Sequence, residues 1–94
     1  MPETYFTLRW PDGQEERCYS PSTIIGDYLD AGVSYPLADF MARIRGGLNA
    51  ASDRVAKKYG FACSSAMAQL EAIEVQAAKY EHSENQNVTC LEIT

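Results

Sequence analysis

Cys63, Ser64 and Ser65 stand in the stretch "GFACSSAMAQL", residues 60–70, where a tight turn hands the chain to a helix. A thiol at a helix N-terminus has its pKa lowered by the aligned peptide dipoles and can become a nucleophile. Cys63 is therefore the one candidate catalytic residue, the thiolate of a small thiol-dependent enzyme or carrier. Against that role, cysteine is among the most buried residue types, and no histidine lies nearby in sequence to act as a base. The serines suit a cap, where a hydroxyl accepts a backbone N–H, and neither a nucleophile elbow nor an SxxK arrangement accompanies them. Cys63 is expected to be buried between Phe61 and the apolar face of the following helix.

The remaining thiols, Cys18 and Cys90, and the single His82 form no CxxC or Cys/His ligand spacing. No metal site and no cofactor is expected. Three widely spaced cysteines read as reduced thiols; Cys18 and Cys90 could meet across neighbouring strands, but a disulfide is disfavoured in a reducing compartment.

Binding chemistry is better represented. Trp10, Tyr19, Tyr28 and Tyr35 crowd the N-terminal third together with Tyr5, and a single small sheet face cannot hide them all. Such aromatics are enriched at interfaces. Arg43 and Arg45, in a basic cluster with Arg54, Lys57 and Lys58, could meet an acidic partner. The plainer alternative is a solvated helix face, with Asp53 and Lys57 as an i,i+4 pair. Trp10, Tyr19, Tyr28, Tyr35, Arg43 and Arg45 are thus the candidate interface residues, for a protein partner, a homo-oligomer, or both.

The elements that must position these residues follow from periodicity. Thr4, Phe6, Leu8 and Trp10 alternate with Tyr5, Thr7 and Arg9, the period of a half-buried strand. The turn Pro11-Asp12-Gly13-Gln14 then leads to a second run, Glu15 to Tyr19, which makes a hairpin. At Ser20-Pro21-Ser22-Thr23 a serine preceding the proline can cap a short helix of about two turns, which Gly32 would end. Ser34 repeats the device before Leu37, Phe40, Met41, Ile44, Leu48, Ala51 and Val55, a stripe that predicts a long amphipathic helix ending near Tyr59 and Gly60. Gly46-Gly47 interrupts it, so the helix either kinks there or is approached closely by another backbone. A third helix runs from Ser64 to Tyr80 on Ala66, Met67, Leu70, Ile73, Ala77 and Tyr80. The polar stretch from Glu81 to Asn87 is a loop, and Val88 to Ile93 is a last strand.

The expected fold is α+β over residues 1–94 as a single domain. An N-terminal β-hairpin and a C-terminal strand form a three-stranded antiparallel sheet, packed against a short helix and a long antiparallel helical hairpin.

Composition excludes several functions. The 94 residues are 46% hydrophobic and 22% charged, with a net charge of −5, the balance of a folded protein whose field repels nucleic acid and anionic lipid. No apolar run approaches the roughly 20 residues of a membrane span, and "MPETYF" has no signal-peptide pattern. A cytoplasmic protein is expected, with neither nucleic acid nor membrane as partner. A helix-turn-helix reading of the two long helices is opposed by Glu71, Glu74 and Glu81 on the second.

Four runs, "RWPDGQEERCYSPSTII", "SYPLADF", "LNAASDRVAKKYGFACSSAMAQLEAIE" and "VTCLEI", resemble a small bacterial family of nitrogen starvation response proteins, over nearly the whole chain. Ala62 departs from it, since relatives tend to carry proline there. The resemblance implies genes encoded beside a nitrilase-type hydrolase and a radical-SAM protein, and a link to nitrile or cyanide nitrogen assimilation. It carries no active site to transfer. The expected function is a non-catalytic accessory or interaction factor of that pathway. The alternatives are the thiol-dependent enzyme or carrier using Cys63 and a transcriptional regulator; the missing catalytic set weighs against an enzyme.

Overall fold

The alternation at the N-terminus becomes a sheet with one covered face. In the computed structural model, which describes residues 4–60, 64–82 and 86–94, strand β1 (Thr4–Arg9) buries Thr4, Phe6 and Leu8 and leaves Tyr5, Thr7 and Arg9 on the other side. Trp10 follows on the buried side. The turn is closed by the Trp10 N–H donating to the Gln14 carbonyl at 2.8 Å and the Gly13 N–H to the Trp10 carbonyl at 2.9 Å. Asp12 Oδ1 accepts the Gln14 N–H at 3.0 Å, an aspartate turn that fixes the hairpin. Strand β2 (Glu15–Ser20) pairs antiparallel with β1, from Thr4 opposite Ser20 to Arg9 opposite Glu15.

The helix expected after Ser20 is a 3-10 helix of five residues, Thr23–Asp27, and its cap is Ser22, whose Oγ accepts the Ile24 N–H at 3.3 Å. Ser20 instead donates its hydroxyl to the Ser22 carbonyl at 2.7 Å. The element ends well before Gly32, which donates its N–H to the Cys90 carbonyl at 2.6 Å.

There the chain adds a fourth strand to the three expected. The sheet has four strands in the order β2-β1-β4-β3, because Val33–Pro36 forms strand β3 against β4 (Asn87–Ile93). Ser34, read from sequence as a helix cap, bonds instead through Oγ to Thr89 Oγ1 at 2.6 Å. Pro36 takes the N-cap position and makes no side-chain cap bond. A four-residue strand ending in proline has too little alternation to register in sequence, and proline is tolerated there because β3 is an edge. Strand β4 also pairs antiparallel with β1, with a bulge between Thr7 and Leu8.

Helices α1 (Leu37–Tyr59) and α2 (Ser64–Ala78) form an antiparallel hairpin. The predicted stripe of α1 is buried at every position from Leu37 to Val55. Gly60 ends α1 in the left-handed region at φ 84° and donates its N–H to the Ala56 carbonyl at 2.8 Å. Only glycine adopts that conformation at little cost. Helix α2 buries Ala66, Ile73 and Ala77, with Tyr80 buried just beyond its end and Met67 and Leu70 half-buried. The turn residues Phe61, Ala62 and Cys63 lie outside the described residues.

Gly46-Gly47 does not break α1, which is continuous through both. A Cβ on Gly47 would lie 2.6 Å from Ile25 Cδ1, and one on Gly46 would lie 2.9 Å from Tyr28 Cε1. The glycines therefore open a notch into which side chains of the 3-10 helix segment sink. Gly47→Ala gains about 1 kcal/mol of helix propensity but overpacks a fully buried isoleucine, at roughly 1–3 kcal/mol. Denaturant unfolding should show a net loss of about 1 kcal/mol. In an Ile25→Val background, which removes Cδ1, the same substitution should cost less or stabilise; strict additivity of the two changes would reject the notch.

Candidate functional site

Arg43 becomes a junction between elements. Its Nε donates to the Asp39 carboxylate at 3.1 and 3.2 Å, and its Nη1 to the Tyr28 carbonyl at 3.2 Å. Its guanidinium lies 4.7 Å from the centre of the Tyr35 ring. The Tyr35 hydroxyl accepts the Asp30 N–H at 2.9 Å. Three of the six interface candidates, Tyr28, Tyr35 and Arg43, are thus brought together, and their bonds tie the end of the 3-10 segment to β3 and α1. Tyr35 is only 5% exposed and offers a partner almost no surface.

Trp10 is likewise in the core, 2% exposed. Its indole lies edge-on to Phe40 and stacked on Tyr80, with ring centres 5.8 Å apart in both pairs. Its Nε1 has no hydrogen-bond partner among the described residues. Burial raises the Tyr80 phenol above its ordinary pKa, and the Asp12 carboxylate beside it adds to the shift.

Tyr19 lies half-buried, together with Tyr5, on the sheet face opposite the helices. Its ring meets Tyr5 edge-on at 5.8 Å, and Arg17 sits 4.3 Å over the Tyr5 ring, a cation–π contact. The strand register sets Arg17, Thr7 and Glu92 in one row across β2, β1 and β4. The next row carries Glu15, Arg9, Thr89 and Ser34. At the edge of this face the Tyr19 N–H donates to Gln69 Oε1 of α2 at 3.0 Å, which satisfies one of the outward backbone donors of the β2 edge. Arg17 was missed in sequence because its signal, a cation two residues from Tyr19 on an alternating strand, reads as ordinary solvation.

Arg45 points elsewhere. Its Nε pairs with Glu74 Oε1 at 3.0 Å, joining α1 to α2 at one end of a cleft of about 370 Å³. Leu37, Ala38 and Met41 of α1 and Ala77 and Ala78 of α2 form its apolar walls, and Glu74, Glu81 and Gln86 add polar groups. The paired alanines leave the space. The expected Asp53–Lys57 pair is not among the ion pairs of the described residues, which are Arg9–Glu15, Arg43–Asp39 and Arg45–Glu74.

Cys18 and Cys90 are both free and buried. They do not lie on neighbouring strands, since β1 runs between β2 and β4. Two strand spacings, roughly 9–10 Å, exceed the reach of a disulfide. Burial pushes both thiols above their ordinary value of 9.0, and the neighbouring Glu16 carboxylate raises Cys18 further. Among the described residues no group of three or more His, Cys, Asp or Glu is placed to hold a metal. Cys63 lies outside the described residues.

In a Cys63→Ser variant, Ellman's reagent should find no reactive thiol in the folded protein and two after unfolding in guanidinium. Both folded-state pKa values are raised, so the unfolded chain ionises first as pH rises. Stability should therefore hold below pH 9.0 and fall above it, through the window between the unfolded and folded values.

Among the described residues no helix is long and apolar enough to cross a membrane. No curated protein and no solved structure matches the chain. A family does: residues 5–93 match the nitrogen starvation-induced protein NitG, a span that starts one residue into β1 and takes in the other three strands and both long helices. The chain belongs to the nitrogen starvation-induced protein NitG family, which gives it a role in the response to nitrogen starvation.

Proposed function

We propose that this protein is a non-catalytic accessory factor that acts by binding a protein of the nitrogen assimilation machinery, in a pathway that draws nitrogen from nitriles or cyanide. The observation that carries the reading is the one-sided sheet. Helices cover one face, while the other groups Tyr5, Tyr19 and Arg17, the residue types most enriched at energetic centres of interfaces. The neighbourhood implied by the family resemblance supplies the candidates, a nitrilase-type hydrolase and a radical-SAM protein.

Regulation through DNA has less support. The net charge is −5, and Arg43 and Arg45 are both held by carboxylates of the chain itself, which leaves only Arg54, Lys57 and Lys58 of the basic cluster to meet phosphates.

Tagged protein recovered from nitrogen-starved cells should bring down one of those enzymes at a stoichiometric level. Arg17→Glu combined with Tyr19→Asp should reduce recovery by tenfold or more, as expected for loss of about 1.4 kcal/mol or more at an interface centre. Val75→Asp, a change on α2 at a residue 63% exposed and away from the sheet face, should leave it intact. Recovery of no stable partner by the unaltered protein would remove the proposal.

A further inference from the structure

The cleft between α1 and α2 has a chemistry of its own, independent of the sheet face and of the partner proposed for it. Its walls are apolar where the helices run side by side: Leu37, Met41 and Ala77 are at most 7% exposed and line it together with Ala38 and Ala78. A volume of about 370 Å³ falls within the range of small-molecule sites.

The polar groups around this floor are mostly acceptors. Glu74 gives Oε1 to Arg45, and no partner of its second oxygen is found among the described residues. The carboxylate of Glu81, in the turn beyond the end of α2, likewise has no partner among the described residues. Gln86 spends its amide N–H groups on the backbone carbonyls of Tyr80 and Glu81, so its side-chain oxygen remains as an acceptor. Arg45 is the single cationic side chain of the lining, and it is already paired. Two carboxylates against one guanidinium leave a charge of −1 around an apolar floor.

We infer that this cleft binds a small aliphatic ammonium ion. The hydrocarbon chain lies along Met41, Ala77 and Ala78, and the ammonium is met by the Glu81 carboxylate and the Gln86 carboxamide oxygen. The positive end of the α1 dipole near Leu37 opposes a cation, and the Glu81 carboxylate on the cleft lining offsets it locally. Charge complementarity selects the head group, and the alanine pair selects a slender, unbranched body. An open site of this kind, with one exposed charge contact, holds its ligand in the millimolar range.

Titration of the ¹⁵N-labelled protein with n-butylammonium chloride, at constant ionic strength, reads the site directly. Amide resonances of Met41, Ala77, Ala78 and Gln86 should move saturably, while butyrate and butan-1-ol bind more weakly. Glu81→Gln should weaken butylammonium binding by about five-fold, the scale of one exposed ion pair. Ala78→Leu, at an exposed helical position where a larger side chain enters the cleft without crowding the core, should abolish binding with the spectrum otherwise preserved. Glu81→Gln keeps the test open should Ala78→Leu fail to fold. The inference is overturned by absence of saturable shifts at tens of millimolar, by equal or tighter binding of butyrate or butan-1-ol, or by unchanged affinity in Glu81→Gln. None of these results bears on capture of a protein partner by the sheet face.

Discussion

Strand β4 is the constraint on which the remaining architecture rests. It runs between β1 and β3 and hydrogen-bonds to both, so the β1–β2 hairpin and β3 become one sheet only when residues 87–93 join them. Val88 and Cys90 of β4 are fully buried against the helices. Removing β4 would expose β1 along one edge and leave β3, only four residues long, without a partner. Closing such a long loop costs entropy that grows slowly with length, and the antiparallel α1–α2 hairpin reduces it by returning the chain to the side of the sheet it left.

The layers are then fixed by two close fits. Gly46 and Gly47 let Ile25 and Tyr28 sink into α1, and Arg43 reaches from the same helix to the Tyr28 carbonyl and the Tyr35 ring. Both bind the segment between β2 and β3 to the middle of α1. The exposed part of the Arg43 ion pair contributes little by itself; its value lies in holding three elements in one orientation. This accounts for aromatics and an arginine that resemble binding residues in sequence yet serve the fold.

What the fold leaves open is a sheet face and a cleft, and they differ in character. The face carries rings and balanced charge spread across three strands, a flat surface suited to another protein. The cleft is small, apolar below and acidic at the rim, and is suited to a small cation. Neither contains the two buried thiols, which burial, and for Cys18 the adjacent Glu16 carboxylate, holds neutral. Membership of the nitrogen starvation-induced family gives these surfaces a physiological setting.

The sequence alone determined the elements whose signals are local. Alternation in Thr4 to Trp10, the Pro-Asp-Gly turn, the α1 stripe and the Gly60 stop each report a short-range preference, and each is present in the fold. Family membership was legible as well, from motifs running the length of the chain. Tertiary structure alone decided the fourth strand, since Val33–Pro36 becomes a strand only because β4 offers a ladder to it. It alone decided that Trp10 and Tyr35 are buried while Tyr19 is half-buried on the face opposite the helices, because the residues that cover a side chain are distant in sequence. Burial is a property of contacts between segments, and sequence periodicity can say which residues share a face but not what lies against it.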